Sequence, residues 1–167
     1  YKRDFDLDSQ ISSEKSIQTI HFESGAMYVG QLNKNGEYSG HGVYKFSDGT
    51  VYDGLWEKSE RNGVGTQTWI NGAKYVGNWK DGLRHGTGSL SLSDGSRCEG
   101  SWKDDNISNG HFFYSWGDYY EGDFDSDLAR DGYGTYFWTN GSCHIGNWKK
   151  GLRHGKGKFY NENRELV

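Results

Sequence analysis

The segment GNWKDGLRHGTG (77–88) recurs as GNWKKGLRHGKG (146–157), and each copy sets glycines around a basic stretch ending in a histidine. Such a segment could cradle a phosphate with backbone N–H groups, or supply one half of an acid–base pair through His85 and His154. A catalytic histidine needs a nucleophile and an orienting carboxylate. The sequence supplies neither at a reproducible spacing, so both histidines are expected to cap loops. Gly-x-Gly signals nucleotide binding only where a strand runs into a helix, and no helical pattern follows here. The basic residues, Lys80 and Arg84 in one copy and Lys149, Lys150 and Arg153 in the other, are candidates for anionic lipid headgroups, each worth ~1 kcal/mol near such a surface. The loops between them, KDDNISN and DSDLARD, are acidic or neutral, which favours an ordinary solvated loop face. DFDSDLARD, with Asp123, Asp125, Asp127 and Asp131, resembles the first half of a calcium loop. It has Leu128 where the sixth-position glycine is required and Gly134 where the closing glutamate is required, so no metal is expected. DFDLD at 4–8 fails in the same way, and Cys98 and Cys143 match no metal-ligand spacing.

Positioning these residues is the task of a repeat. An aromatic residue, a glycine two on and a large apolar residue two further recur as YVGQL, YDGLW, YVGNW, CEGSW, YEGDF and HIGNW, from residues 28, 52, 75, 98, 120 and 144. Each unit then carries Gly-x-Gly (GHG at 40–42, GVG at 63–65, GTG at 86–88, GYG at 132–134, GKG at 155–157), except the fourth, which reads GHF at 110–112. Most units close on Asp-Gly or Asn-Gly, at 48–49, 71–72, 94–95 and 140–141. Because both central residues of a type I′ turn need φ > 0, these dipeptides are the strongest local hairpin signal. Each unit therefore reads as strand, longer loop (KDGLRH and its equivalents), strand, two-residue turn. With a leading half unit at 17–25 this predicts about 13 antiparallel strands, a ribbon roughly 60 Å long at ~4.8 Å per strand. Helical periodicity appears only weakly, over 7–16. Residues 1–16 form a polar lead-in or cap, 17–160 the repeat array and 161–167 a tail.

Period-two alternation sorts the strands into an aromatic and glycine face and a mostly polar face. Tyr75, Gly77 and Trp79 share the first, Val76 and Asn78 the second. Tyr52, Trp56, Trp69, Tyr75, Trp79, Trp102, Trp116, Tyr120, Phe124, Tyr136, Trp138 and Trp148 are expected on the aromatic face. A glycine opposite an indole leaves room for the ring to lie on the backbone. The chain is poor in hydrophobic residues (32%) but holds 7 Trp, 12 Tyr and 8 Phe, unlike disordered segments, which lack aromatics. It offers no helix or second sheet to cover the aromatic face, so the sheet is expected to curl into an aromatic gutter, and exposed apolar grooves of that size mark partner sites. A net charge of −4 argues against nucleic acid as a partner. No apolar run approaches membrane-spanning length and no signal peptide is visible, so an intracellular setting with reduced thiols is expected.

The unit Y-x-G-x-W-x-x-G-x-x-H-G-x-G with its Asp/Asn-Gly turn resembles the MORN repeat (membrane occupation and recognition nexus), most closely over YVGNWKDGLRHGTGSLSLSDG, and the resemblance covers 17–160. It implies an all-β fold: an elongated, twisted, single-layer antiparallel β-hairpin solenoid with a concave aromatic groove. It also implies a non-enzymatic scaffold that binds a peptide or helix of a partner protein in a cytoplasmic, cytoskeleton-, cilium- or membrane-associated assembly, without a cofactor and sometimes as a homodimer. Phosphoinositide binding through the basic loops is the alternative. A third reading, a regulatory module of a larger enzyme, is open because the chain begins at Tyr1 rather than Met. The departures are Leu32 for the first Trp, Cys98 and His144 for the leading Tyr, and Phe112 for the second glycine of the fourth unit. That unit is expected to be two residues short at its closing turn, with altered curvature or a distinct pocket.

Overall fold

The computed structural model describes residues 16–167; the lead-in over 1–15, including the periodic stretch from residue 7 and DFDLD, lies outside them. Thirteen strands follow in order: β1 (Ile17–His21), β2 (Met27–Leu32), β3 (Tyr38–Lys45), β4 (Val51–Glu57), β5 (Glu60–Thr68), β6 (Lys74–Lys80) and β7 (Leu83–Ser91). The series continues with β8 (Arg97–Lys103), β9 (Asn106–Phe113), β10 (Tyr119–Phe124), β11 (Arg130–Phe137), β12 (Cys143–Lys149) and β13 (Leu152–Tyr160). They form one antiparallel sheet in which each strand pairs only with its sequence neighbours, so the fold is a linear array held by nearest-neighbour contacts.

The two kinds of connection are the reverse of the sequence expectation. KDGLRH is not a loop: β6 and β7 are joined by Asp81 and Gly82 alone, with φ of 49° and 78°. Lys58-Ser59, Asp104-Asp105 and Lys150-Gly151 make the same two-residue turn with both φ positive, the type I′ signature. The Asp-Gly and Asn-Gly dipeptides lie instead in five-residue connections between units, where only the glycine has positive φ, as at Gly49. Phe46 N–H donates to the Thr50 carbonyl (2.8 Å) and Gly49 N–H to the Phe46 carbonyl (3.0 Å), while Asp48 Oδ1 accepts from Thr50 N–H (2.8 Å). The aspartate is therefore there to bond its own loop backbone, not to take positive φ.

The fourth unit is also corrected. Its connection to the fifth keeps the usual five residues, 114–118, and the missing residue is a single one in the bulge of β9. Gly100 pairs Gly110 and Trp102 pairs Ile107, where the third unit pairs Gly77 with Gly88 and Trp79 with Arg84. Gly110 is thus the second glycine of its unit, and Phe112, opposite Cys98, occupies the position of Leu90 opposite Tyr75.

From Gly30 on β2 to Gly157 on β13 the ladder runs glycine to glycine at every strand. Over this line lie the tyrosine rings of the aromatic face. A Cβ on Gly88 would stand 2.1 Å from the Tyr75 hydroxyl, and one on Gly77 would stand 2.5 Å from the Gly88 Cα. Tyr75 is fully buried and cannot yield. Gly88→Ala is expected to cost about 1–3 kcal/mol or more by overpacking. Gly36→Ala, with open space but φ of +79°, should cost only about 1–2 kcal/mol of backbone strain. Urea unfolding compares the two, and equal losses would contradict the ring-over-glycine packing.

Candidate functional site

The aromatic face is built from one motif repeated. The hydroxyls of Tyr28, Tyr52, Tyr75 and Tyr120 donate to the carbonyls three residues on, at 2.8, 2.9, 3.1 and 3.0 Å. Burial pushes the Tyr52 and Tyr75 phenols up to about 12, keeping them protonated donors. In the second and third units each ring meets an indole of its own unit and one of the next edge-to-face: Tyr52 lies 5.0 Å from Trp56 and 5.3 Å from Trp79, Tyr75 5.1 Å from Trp79 and 5.3 Å from Trp102. Such pairs add ~0.5–1.5 kcal/mol each. The indole N–H groups of Trp56, Trp79, Trp102 and Trp148 donate to Gly42, Gly65, Gly88 and Gly134 carbonyls of the preceding unit, at 2.9, 3.2, 3.0 and 3.1 Å.

A row of arginines closes the tight-turn side. Arg61 lies 4.4 Å over Trp79, Arg84 4.6 Å over Trp102 and Arg130 4.7 Å over Trp148. Each also donates to a backbone carbonyl of the next unit's tight turn, Gly82, Asp105 and Gly151 respectively. Tyr38 holds this position in the first unit, its carbonyl accepting from Ser59 N–H as that of Arg61 accepts from Gly82 N–H. The sequence carried the signal as R-x-G-x-G at 61, 84, 130 and 153; with the arginine placed in a loop, its stacking on the following Trp was not legible. Arg84 is thereby removed from the basic cluster read from the sequence: its Nε also pairs with Asp105 Oδ1 at 3.0 Å. Lys80, Lys149, Lys150 and Arg153 are exposed.

The fourth unit replaces the ring by other means. Cys98 is fully buried, its thiol pushed up to about 12 by burial, which leaves it unreactive. Ile107, 1% exposed, fills the space over the glycine pair: a Cβ on either Gly100 or Gly110 would lie 2.9 Å from its Cδ1.

Of the twelve aromatics read from the sequence, Tyr52, Tyr75 and Tyr120 are fully buried, and Trp56, Trp79, Trp102, Phe124, Tyr136 and Trp148 nearly so. Trp69 and Trp138 are half-buried against this core, and Trp116 is exposed in the 114–118 turn, stacked on Tyr114. The face opens at two clefts. One, of about 290 Å³, is lined by Tyr38, Tyr44, Phe46, Trp56, Ser59, Glu60 and Arg61. The other, of about 230 Å³, is lined by Arg130, Tyr136, Trp138, Trp148, Gly151, Leu152 and Arg153. Tyr38, Tyr44 and Arg61 were not among the residues picked out from the sequence.

The other candidates take structural places. His85 Nδ1 lies 3.5 Å from Asp104 Oδ1 in the next unit's tight turn. Asp125 Oδ1 accepts from Asp127 and Ala129 N–H (2.9 and 3.0 Å), and Asp123 Oδ2 from Tyr133 N–H (3.1 Å), so these carboxylates serve the backbone. Among the described residues no group of His, Cys, Asp or Glu could hold a metal ion, and no helix is long and apolar enough to cross a membrane.

The family model described as MORN repeat matches residues 28–51, 52–74, 75–97, 120–143 and 144–164. The stretch it leaves out contains Cys98 and Ile107, where the tyrosine ring is missing. No curated protein matches the chain. Among solved structures, the Drosophila melanogaster SAS-4 (dCPAP) TCP domain, in complex with a proline-rich motif of Ana2 (dSTIL), is 9% identical with a TM-score of 0.52. That likeness covers 90% of this chain and 87% of the other. The TCP10 domain of Danio rerio CPAP is 13% identical with a TM-score of 0.30, covering 86% and 83%. At 9% identity the likeness to the SAS-4 TCP domain is one of fold.

His144, which stands where other units have Tyr, lies edge-on to Trp148 at 5.3 Å. Burial, and then the charge of Arg153, lowers its pKa below 6.5. As pH falls the unfolded chain therefore binds this proton first. The contribution of the neutral imidazole is complete above about pH 6.5 and is lost as pH drops through that value towards the folded pKa. Urea unfolding of the protein and of His144→Tyr between pH 8 and 5 should show the variant's advantage growing as pH falls. A pH-independent difference would mean that the imidazole is not buried neutral.

Proposed function

Because the chain belongs to the MORN-repeat family, we propose that it is a non-enzymatic scaffold whose aromatic face binds an extended segment of a partner protein, in a cytoskeletal assembly of the kind the family resemblance implies. The observation that carries this reading is the pair of clefts at Tyr38, Tyr44 and Trp56 and at Tyr136, Trp138 and Trp148. They are the places where a face otherwise packed upon itself leaves rings accessible. Each is walled by flat aromatic surface and ends on an arginine. Aromatic-lined grooves suit proline-rich segments, whose polyproline II conformation is preformed and costs little entropy to bind. The proline-rich motif bound to the SAS-4 TCP domain supports the same class of occupant. The fully buried Tyr52, Tyr75 and Tyr120 act in this proposal by shaping the face, and the half-buried Tyr44 and Trp138 by touching the partner.

A synthetic proline-rich peptide titrated against the protein should quench tryptophan fluorescence. Tyr44→Ser together with Trp138→Ser should weaken its binding about tenfold or more, as loss of aromatic anchors does, with the urea midpoint showing that the array stays folded. Undiminished binding by the folded double variant would remove the aromatic face from the proposal.

A further inference from the structure

Charge is distributed unevenly along the array. Residues 98–142 hold nine carboxylates against two basic side chains, whereas 143–160, the next hairpin, holds Lys149, Lys150, Arg153, Lys156 and Lys158 and no carboxylate. Strand pairing brings part of each set onto the second face at matching heights. Glu121 pairs with Thr135, Thr135 with Ile145 and Ile145 with Lys158, so these four form one row across β10 to β13. The neighbouring row runs Asp123, Tyr133, Asn147 and Lys156. Asp123 Oδ2 accepts from the Tyr133 N–H, Tyr133 pairs with Asn147, and the Asn147 amide donates to the Lys156 carbonyl. Two carboxylates on β10 and two ammonium groups on β13 therefore stand equally far from a line drawn between β11 and β12, one of each in each row. Between them the face is apolar: Tyr133 is 59% and Phe137 39% exposed.

Contacts within the chain leave these charges uncompensated. The Tyr119 hydroxyl donates to Glu121 at 3.4 Å and the Asn109 amide to Asp123 at 2.9 Å. Both are neutral donors, which hold the carboxylates in place without cancelling their charge. Among the described residues no ion pair includes Glu121, Asp123, Lys156 or Lys158. Within one sheet the two sets cannot meet, because β10 and β13 lie three strand spacings apart, roughly 14 Å, which is beyond the Debye length at physiological salt.

We infer that the second face over β10–β13 is a two-fold interface with a second copy of this chain. A two-fold axis running along the strands between β11 and β12 lays β10 of one copy on β13 of the other and keeps each row opposite itself. Glu121 then meets Lys158 of the second copy, and Asp123 meets Lys156. Each pair forms twice, because a two-fold contact is reciprocal. Tyr133 of each copy comes over Asn147 of the other, at a hollow of about 480 Å³ that Ile145, Asn147, Lys156 and Lys158 help to line. Charge complementarity selects the partner and fixes the register, and the apolar centre supplies contact area. A patch four strands wide and about six residues deep is roughly 20 Å square. It buries on the order of 1,000 Å² over both copies, the size of a reversible interface rather than an obligate one. This surface lies on the opposite side of the sheet from the aromatic clefts, and either proposal can fail without the other.

Sedimentation equilibrium at about 100 µM protein should give the mass of a dimer, weakening about tenfold when salt rises from about 50 to about 500 mM. Glu121→Lys and Lys158→Glu should each give a monomer, since each sets two like-charge pairs across the axis. Mixed in equal amounts, these two monomeric variants should dimerise, one bringing carboxylates to both positions and the other lysines. A chain carrying both substitutions should dimerise as the natural protein does. Both rescues also show that the variants are folded. A protein that stays monomeric at low salt, a dimer indifferent to either reversal, or variants that remain monomeric on mixing would each overturn the inference. Growth beyond the dimer would do so too, since a head-to-tail contact does not close at two copies. A monomeric protein that binds a polyglutamate peptide through Lys156 and Lys158 would assign the basic row to another partner and overturn it as well.

Discussion

A tyrosine ring lying on a pair of glycines is the contact on which this molecule depends. A single-layer sheet has no second layer to bury its apolar face, and 32% hydrophobic residues could not build one. The backbone itself serves as the opposing surface. Two facing glycines, such as Gly77 and Gly88, have no Cβ to hold the ring off, so the phenol packs onto main chain and its hydroxyl reaches a carbonyl three residues on. The cost is glycine at the centre of every strand from β2 to β13, which weakens a strand in isolation. The rings recover that loss through edge-to-face contacts with neighbouring aromatics, as Tyr75 does with Trp79 and Trp102.

From that contact the linear architecture follows. In the third unit Tyr75 lies between its own Trp79 and Trp102 of the next, the Trp102 indole N–H reaches back to the preceding unit, and Arg84 caps the following one. All couplings are between neighbours, so the array can tolerate an altered unit if the space is refilled. The fourth unit shows this. Removing the ring at Cys98 and one residue from the β9 bulge is matched by Ile107 over the same glycine pair, and the sheet continues unbroken into β10.

Function then belongs to what this packing leaves over. On the aromatic face it leaves little: most of the rings are consumed as core, and the clefts that remain lie at Tyr44 and Trp138. The second face takes no part in core packing and is free to vary from unit to unit. It therefore acquires local character: one row carries Met27, Lys45, Val51, Thr68, Lys74 and Ser91 over the early units and Phe113, Tyr119 and Phe137 further on. A solenoid of this kind divides its labour by face, with one face maintaining the array and the other open to specialisation.

The repeat and the number of strands were legible in the sequence, because period-two alternation and the spacing of Y-x-G-x-W are local properties of the chain. The same locality misled at the turns. Asp-Gly and Asn-Gly announce a reversal, but they suit both a two-residue turn and a five-residue one, and the register of Gly77 on Gly88 is what makes Asp81-Gly82 the tight connection. Likewise GHF at 110–112 looked like a broken Gly-x-Gly until pairing with Gly100 aligned Gly110 as the second glycine. The arginines of R-x-G-x-G were visible as a pattern but not as a contact, since their partners lie 18 residues on in the next unit, as Arg61 and Arg84 show with Trp79 and Trp102. Sequence alone determined that the chain is a glycine-and-aromatic β repeat. Tertiary structure decided which rings are core and which are surface, because burial here depends on whether a neighbouring unit lies over a ring, and that is set by cross-strand register rather than by any residue's own identity.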